Sequence, residues 1–97
     1  MENTLENMEN LSTLKKIDII RQLFKDKTNK HTIQDIIDEK LSEKQELAFG
    51  LRVFENYSNV RISKVLKCNK SNVTRLFKIA LNKVINDERF KKLNLNI

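Results

Sequence analysis

Ser58 to Ile85 reads SNVRISKVLKCNKSNVTRLFKIALNKVI, and this stretch decides the fold. Val60, Ile62, Val65 and Leu66 mark a first short apolar pattern. Val73, Leu76, Phe77, Ala80, Leu81 and Val84 then repeat at helical spacing as a cleaner stripe. Lys67 to Lys70 interrupts the two. Ser58 or Asn59 is placed to cap the first helix, and Asn69 or Ser71 the second, because short polar side chains accept from the free amides of a first turn. Two helices joined by a break of about four residues, the second amphipathic and basic, describe a helix-turn-helix over the C-terminal half.

The rest of the chain reads as helix too. Ser12 caps a helix with Leu14, Ile17, Ile20, Leu23 and Phe24 on one face, to about Lys25. Asp26 to Lys30 reads as a loop. Thr32 is the next cap candidate, ahead of a short helix with Ile33, Ile36 and Ile37 that ends near Lys40. Ser42 and Gln45 form a capping box. The helix that follows carries Leu47, Leu51 and Phe54, flanked by Ala48, and stops near Asn56. Gly50 inside it costs about 1 kcal/mol relative to Ala. Leu5, Met8 and Leu11 suggest a frayed turn or a disordered leader, and Phe90 and Leu93 are candidates to dock back from the tail. The expectation is an all-α domain of about five helices, divided into an extension or oligomerisation element over 1–40, a helix-turn-helix domain over 41–86 and a tail over 87–97.

Composition agrees. The chain has 97 residues with one Gly and no Pro, and tight β-turns depend on those two residues, so an all-β sandwich or barrel is not expected. The single Cys makes neither an internal disulfide nor a four-ligand zinc site. The acidic start is no signal peptide, and no apolar run approaches the ~18 residues of a membrane span. A cytoplasmic protein with no membrane partner is expected. Lys, Asn and Ile outnumber Arg in the manner of AT-rich coding DNA, as in a low-GC bacterium, its phage or a mobile element.

Charge is the most informative feature. The net charge is +6, and it is unevenly placed. Residues 1–50 carry 8 basic and 10 acidic residues, whereas residues 51–97 carry 11 and 3. Between Tyr57 and Asn86 there are seven basic residues and no acid. A one-sign field attracts a polyanion. Nucleic acid is the first candidate and an anionic membrane surface the second. On the second helix of the pair, at about 100° per residue, Ser71, Arg75, Lys78 and Asn82 lie opposite the apolar stripe, flanked by Lys70, Asn72 and Thr74. Arg pairs with guanine and Asn with adenine. Lys, Ser and Thr suit phosphate oxygens.

Leu41 to Ile85 resembles region four of bacterial RNA polymerase sigma factors. Leu41-Ser42-Glu43-Lys44-Gln45 matches the opening of that region, Leu51-Arg52-Val53-Phe54 the end of its first helix, and Tyr57-Ser58 the approach to its helix-turn-helix. Ile62, Ser63 and Leu66, then Val73, Ala80, Leu81 and Val84, fall on its packing positions. The resemblance implies that a recognition helix at about 70–85 reads the upstream promoter element in double-stranded DNA. By position, Lys70, Ser71, Asn72, Thr74 and Arg75 would face bases or nearby phosphates, and Arg61, Lys64 and Lys78 would contact the backbone. It implies RNA polymerase core, through the β-subunit flap, or a partner sigma subunit as the protein partner, met by the helix of Leu47, Leu51 and Phe54. The chain departs from the family at Lys67, where Gly, Asn or Asp is common; a positive φ there would cost Lys about 1 kcal/mol or more. It also lacks the aromatic-rich region that melts the −10 element. The resemblance is therefore to a free-standing region four with a short helical extension.

Two alternatives stand beside a sigma-like transcription factor. One is a dimeric operator-binding regulator, with residues 12–40 as the dimer element. The other is a region-four mimic that binds polymerase or a sigma factor without reading DNA. No enzyme, metal or cofactor is expected. His31 is the only His, Cys68 reads as a small core residue, and Asp35, Asp38, Glu39 and Glu43 read as a solvated face with no His or Cys partner.

Overall fold

Six helices make up the described part of the chain, which covers Met8 and residues 10–93 of the computed structural model. They are α1 (Thr13–Leu23), α2 (Lys27–Lys40), α3 (Glu43–Val53), α4 (Asn59–Leu66), α5 (Lys70–Ile85) and α6 (Glu88–Lys91). The all-α reading holds, with α6 as a sixth helix. What was read about Leu5 lies outside the described residues, as do residues 94–97 of the tail.

Local chemistry sets the starts. Ser12 Oγ accepts from the Lys15 amide at 3.2 Å. Ser42 Oγ accepts from the Gln45 amide at 3.3 Å while Gln45 Oε1 accepts from the Ser42 amide at 3.0 Å, a complete capping box. The start of α2 differs from expectation. Asp26 to Lys30 is not a loop: Asp26 is the cap, its Oδ2 accepting from the Asn29 amide at 3.0 Å. Thr32 is inside the helix, its hydroxyl donating back to the Thr28 carbonyl at 3.2 Å. The polar run conceals the first turn of α2 because only Asn29 and the later isoleucines face inward.

The main core joins α1, α2, α3, α5 and α6. Ile17, Ile20 and Leu23 meet Ile33, Ile36 and Ile37, and both sets close on Phe49, Phe77, Leu81 and Ile85. Residues ahead of 41 thus share one core with the C-terminal half. Phe49 stacks on Phe77 with centroids 6.1 Å apart, a geometry aromatic pairs favour. Met8 and Phe90 are fully buried in the same core, and Leu11 and Leu93 pack at its edge.

The buried face of α3 is a correction. Ala48, Phe49 and Val53 are buried, whereas Leu47 and Phe54 are 44% and 38% exposed and Leu51 is half-buried. The helix is rolled by about one residue because α3 packs against both α4 and α5, and small Ala48 fits that crossing. The helix also ends at Val53 rather than near Asn56. Asn56, at φ 59°, turns the chain away, and Arg21 of α1 pins the corner by donating to the Val53 carbonyl at 2.6 Å and to Asn56 Oδ1 at 3.1 Å. Phe54 lies over Phe24, centroids 4.3 Å apart. An added Cβ at Gly50 would meet nothing within 4 Å, so this glycine serves no close packing.

An ionic cluster holds α6. Asp87 caps it, accepting from the Arg89 amide at 2.9 Å and from the Arg89 guanidinium at 3.0 Å. Arg89 also reaches Glu39 of α2 at 2.7 Å, and Lys40 lies 3.8 Å from Asp87. The hydrogen bonds from Arg89 hold the Asp87 carboxyl below its usual range, against the opposing effect of its burial.

Candidate nucleic-acid interface

α4 and α5 are joined by three residues, Lys67 to Asn69. Ser58 Oγ accepts from the Arg61 amide at 3.2 Å and starts α4. Asn69 Oδ1 accepts from the Asn72 amide at 2.8 Å and starts α5. Lys67 stands between in the left-handed region, at φ 55° and ψ 45°. That turn lets the Cys68 amide donate back to the Ser63 carbonyl at 3.0 Å, the six-to-one bond of a Schellman ending.

A second, smaller core seats the pair. Ile62 of α4 is fully buried against Ala48 of α3 and Val73 of α5. Leu51, Tyr57, Leu66, Cys68 and Leu76 surround them half-buried. Val60 and Val65, expected on the apolar face of α4, are 47% and 48% exposed, because a short helix over a small cluster buries one narrow line. Cys68 packs at the rim of this cluster. One polar bond crosses directly between the helices, from Asn59 Nδ2 to Thr74 Oγ1 at 3.4 Å.

The outer face of α5 carries Lys70, Ser71, Thr74, Arg75 and Lys78, all exposed, with Asn82 further along. Arg61 and Lys64 are exposed on α4. The Arg61 guanidinium stacks 3.8 Å from the Tyr57 ring centroid. No ion pair among the described residues involves α4 or α5, so the positive charge there is uncompensated. The start of α5 adds the positive end of a helix dipole beside it.

Three of the eight candidate residues, Asn72, Thr74 and Arg75, have side chains already hydrogen-bonded within the protein. The Thr74 hydroxyl donates to the Lys70 carbonyl at 3.1 Å, besides accepting from Asn59. Asn72 is half-buried, and its Oδ1 accepts from Arg75 Nη2 at 3.0 Å. Lys83 is tied to the other side of the domain, donating to the Lys40 carbonyl at 3.2 Å and to Gln45 Oε1 at 3.0 Å.

Lys44 is a residue the sequence pattern did not single out. It lines a shallow cleft of about 170 Å³ with Leu66, Cys68, Asn72, Arg75 and Leu76. Its place inside the capping box drew attention to the cap alone. Away from this face, α2 and α3 frame a groove of about 410 Å³ lined by Ile37, Leu47, Leu51 and Phe54, with Glu43 and Glu46 at its edge. His31 is exposed and lies 3.5 Å from Asp35. No helix among the described residues is long and apolar enough to cross a membrane.

Comparison with protein-family profiles, curated protein sequences and solved structures finds no match to this chain.

Proposed function

We propose that this chain is a sigma-like, sequence-specific transcription factor that docks α5 in the major groove of double-stranded DNA and contacts RNA polymerase through the α2–α3 groove. The observation that carries this reading is the outer face of α4 and α5: exposed cations and short polar side chains, with no acid from Tyr57 to Asn86. A phosphate backbone demands such a face, because each Lys or Arg that meets a phosphate releases condensed counterions. Arg61, Lys64, Lys70 and Lys78 supply backbone contacts. Ser71 and Arg75 face the bases, and Lys44 extends the cationic rim from α3.

The dimeric-regulator reading has less support. Ile17, Ile20, Leu23, Ile33, Ile36 and Ile37 are all buried in the chain's own core; Leu14, expected on the same face, is 71% exposed, the one large apolar side chain that residues 12–40 expose. The polymerase-binding mimic keeps one observation in its favour, the apolar groove beside Leu47 and Phe54. That groove serves either reading, so DNA binding separates them.

The test is binding of the full chain to a promoter-derived duplex and a random duplex of equal length across a salt series, with and without bacterial RNA polymerase core. With about five phosphate contacts, the slope of log K against log salt is about −4.5, so a rise from 50 to 200 mM lowers affinity about 500-fold. Preference for the promoter duplex, enhanced by core, is the expected result. Negligible binding to both duplexes at every salt concentration would discard the reading and leave the mimic.

A further inference from the structure

Asn72 and Arg75 sit three residues apart on α5, the spacing at which helical side chains meet. Arg75 is exposed and has no carboxylate partner among the described residues, and its Nη2 donates to Asn72 Oδ1 at 3.0 Å. Asn72 is a firm mount for that bond. Its backbone amide is held by the Asn69 cap at 2.8 Å. Its side chain lies in the cleft with Leu66, Cys68 and Leu76, which limits the rotamers open to it. Side-chain type suggests that Asn72 reads an adenine. That contact is bidentate and needs the amide oxygen and the amide nitrogen both turned to the base edge. Here one of the oxygen's two lone pairs is already taken by Arg75, on a side chain that is half-buried in the cleft.

We propose that Asn72 is a positioning residue for Arg75, and that the two read one guanine as a unit. The proposal rests on the DNA-contacting role of α5. Asn72 takes one of the five guanidinium donors and holds the planar group at the mouth of the cleft. The remaining donors face outward for guanine O6 and N7, which a bidentate Arg contact requires. A free arginine loses much rotamer freedom on binding, and an arginine already held loses less. Thr74 is engaged with Asn59 and Lys70, so Arg75 is the long polar reader at the centre of the face.

The experiment uses the full chain, its N72A and R75A variants and the double variant. Duplexes with a random core first yield the preferred site, and duplexes changed one base pair at a time then report discrimination at each position. R75A should flatten discrimination at one G·C pair by about tenfold or more. N72A should weaken it at that same pair by roughly three- to tenfold and add nothing further in the R75A background. Circular dichroism should show unchanged helicity and melting for N72A. Relaxation by N72A at a different base pair, an additive effect in the double variant, or unchanged discrimination would each overturn the proposal. If the wild-type chain selects no sequence, base reading by α5 fails, and positioning is decided in the free protein by ¹⁵N NMR of the Arg75 side chain. Hindered guanidinium rotation that speeds up in N72A would sustain it; equal rotation in both proteins would overturn it.

Discussion

Lys67→Gly should make the protein more stable although it removes a charged side chain. Lys67 holds φ 55° and ψ 45°, where the Cβ of an L-residue crowds the backbone at a cost of about 1–2 kcal/mol. Its side chain is exposed and makes no hydrogen bond or ion pair among the described residues, so little besides this strain is lost. Glycine relieves the strain but gives the unfolded chain more freedom, which takes back about 0.5–1 kcal/mol. The net gain is about 0.5–1 kcal/mol. For a domain of this size that is a rise of roughly 2–8 °C in Tm. Thermal and urea unfolding by circular dichroism measure it, with Lys67→Ala as control. Alanine removes the same side chain but keeps the Cβ, so it should gain nothing. Equal stability of the two variants, or a less stable glycine variant, would refute the assignment of strain to this turn. In DNA binding both variants should lower the salt slope by about 0.9 if Lys67 meets a phosphate, which separates charge from backbone.

Other outcomes follow from the packing. Gly50→Ala should raise stability by about 0.5–1 kcal/mol, since a Cβ there meets nothing within 4 Å and alanine favours helix; a loss in urea unfolding would contradict the open space. Phe49→Ala should lower stability by about 3–5 kcal/mol, because Phe49 is fully buried and packs on Phe77 and Phe54; a loss under about 1 kcal/mol would contradict its central place. Asp87→Asn should be less stable than wild type at pH 7. The Asp87 carboxyl is held below its usual range, so its contribution is complete above the unfolded value of about 3.9 and fades as pH falls through the folded value. The gap between the two proteins should narrow on acidification from pH 6 to pH 2, and a constant gap would remove Asp87 from the acid limb. Leu47→Lys should change stability by no more than about 0.5 kcal/mol, as for most surface substitutions, yet weaken capture of polymerase core; unchanged capture would remove the α2–α3 groove from the account.

Helix starts were legible where a short polar side chain directly precedes an apolar pattern. Ser12 and Ser42 cap as read, and Ser58 and Asn69 are the caps within the pairs Ser58 or Asn59 and Asn69 or Ser71 that the sequence left open, each through a bond spanning three residues. The α5 stripe was legible because Val73, Phe77, Ala80, Leu81 and Val84 are all buried along one face of the helix, Val73 in the smaller core and the rest in the main one. Asp26 was hidden in a polar run, since the first turn of α2 faces solvent apart from Asn29. The α3 face was misread because size misled: Leu47 and Phe54 are larger than Ala48 and Val53, but the crossing with α4 and α5 selects the small residue. Bonds such as Arg21 to Val53 or Lys83 to Gln45 join residues more than thirty positions apart, and local pattern does not reveal them. At the candidate interface the residue types were legible, but the exposure of Val60 and Val65 and the half-burial of Asn72 were not. Which side chains are engaged with one another was not legible either, because that depends on rotamers at the α4–α5 crossing.

The most direct test of the central claim is an amide NMR titration of the ¹⁵N-labelled full chain with its preferred duplex. The account predicts shifts concentrated at Arg61, Lys64, Lys70, Ser71, Thr74, Arg75 and Lys78, with little change along the α2–α3 groove. Shifts confined to the groove, or spread evenly with none at the start of α5, would contradict the assignment of α5 as the helix that reads DNA.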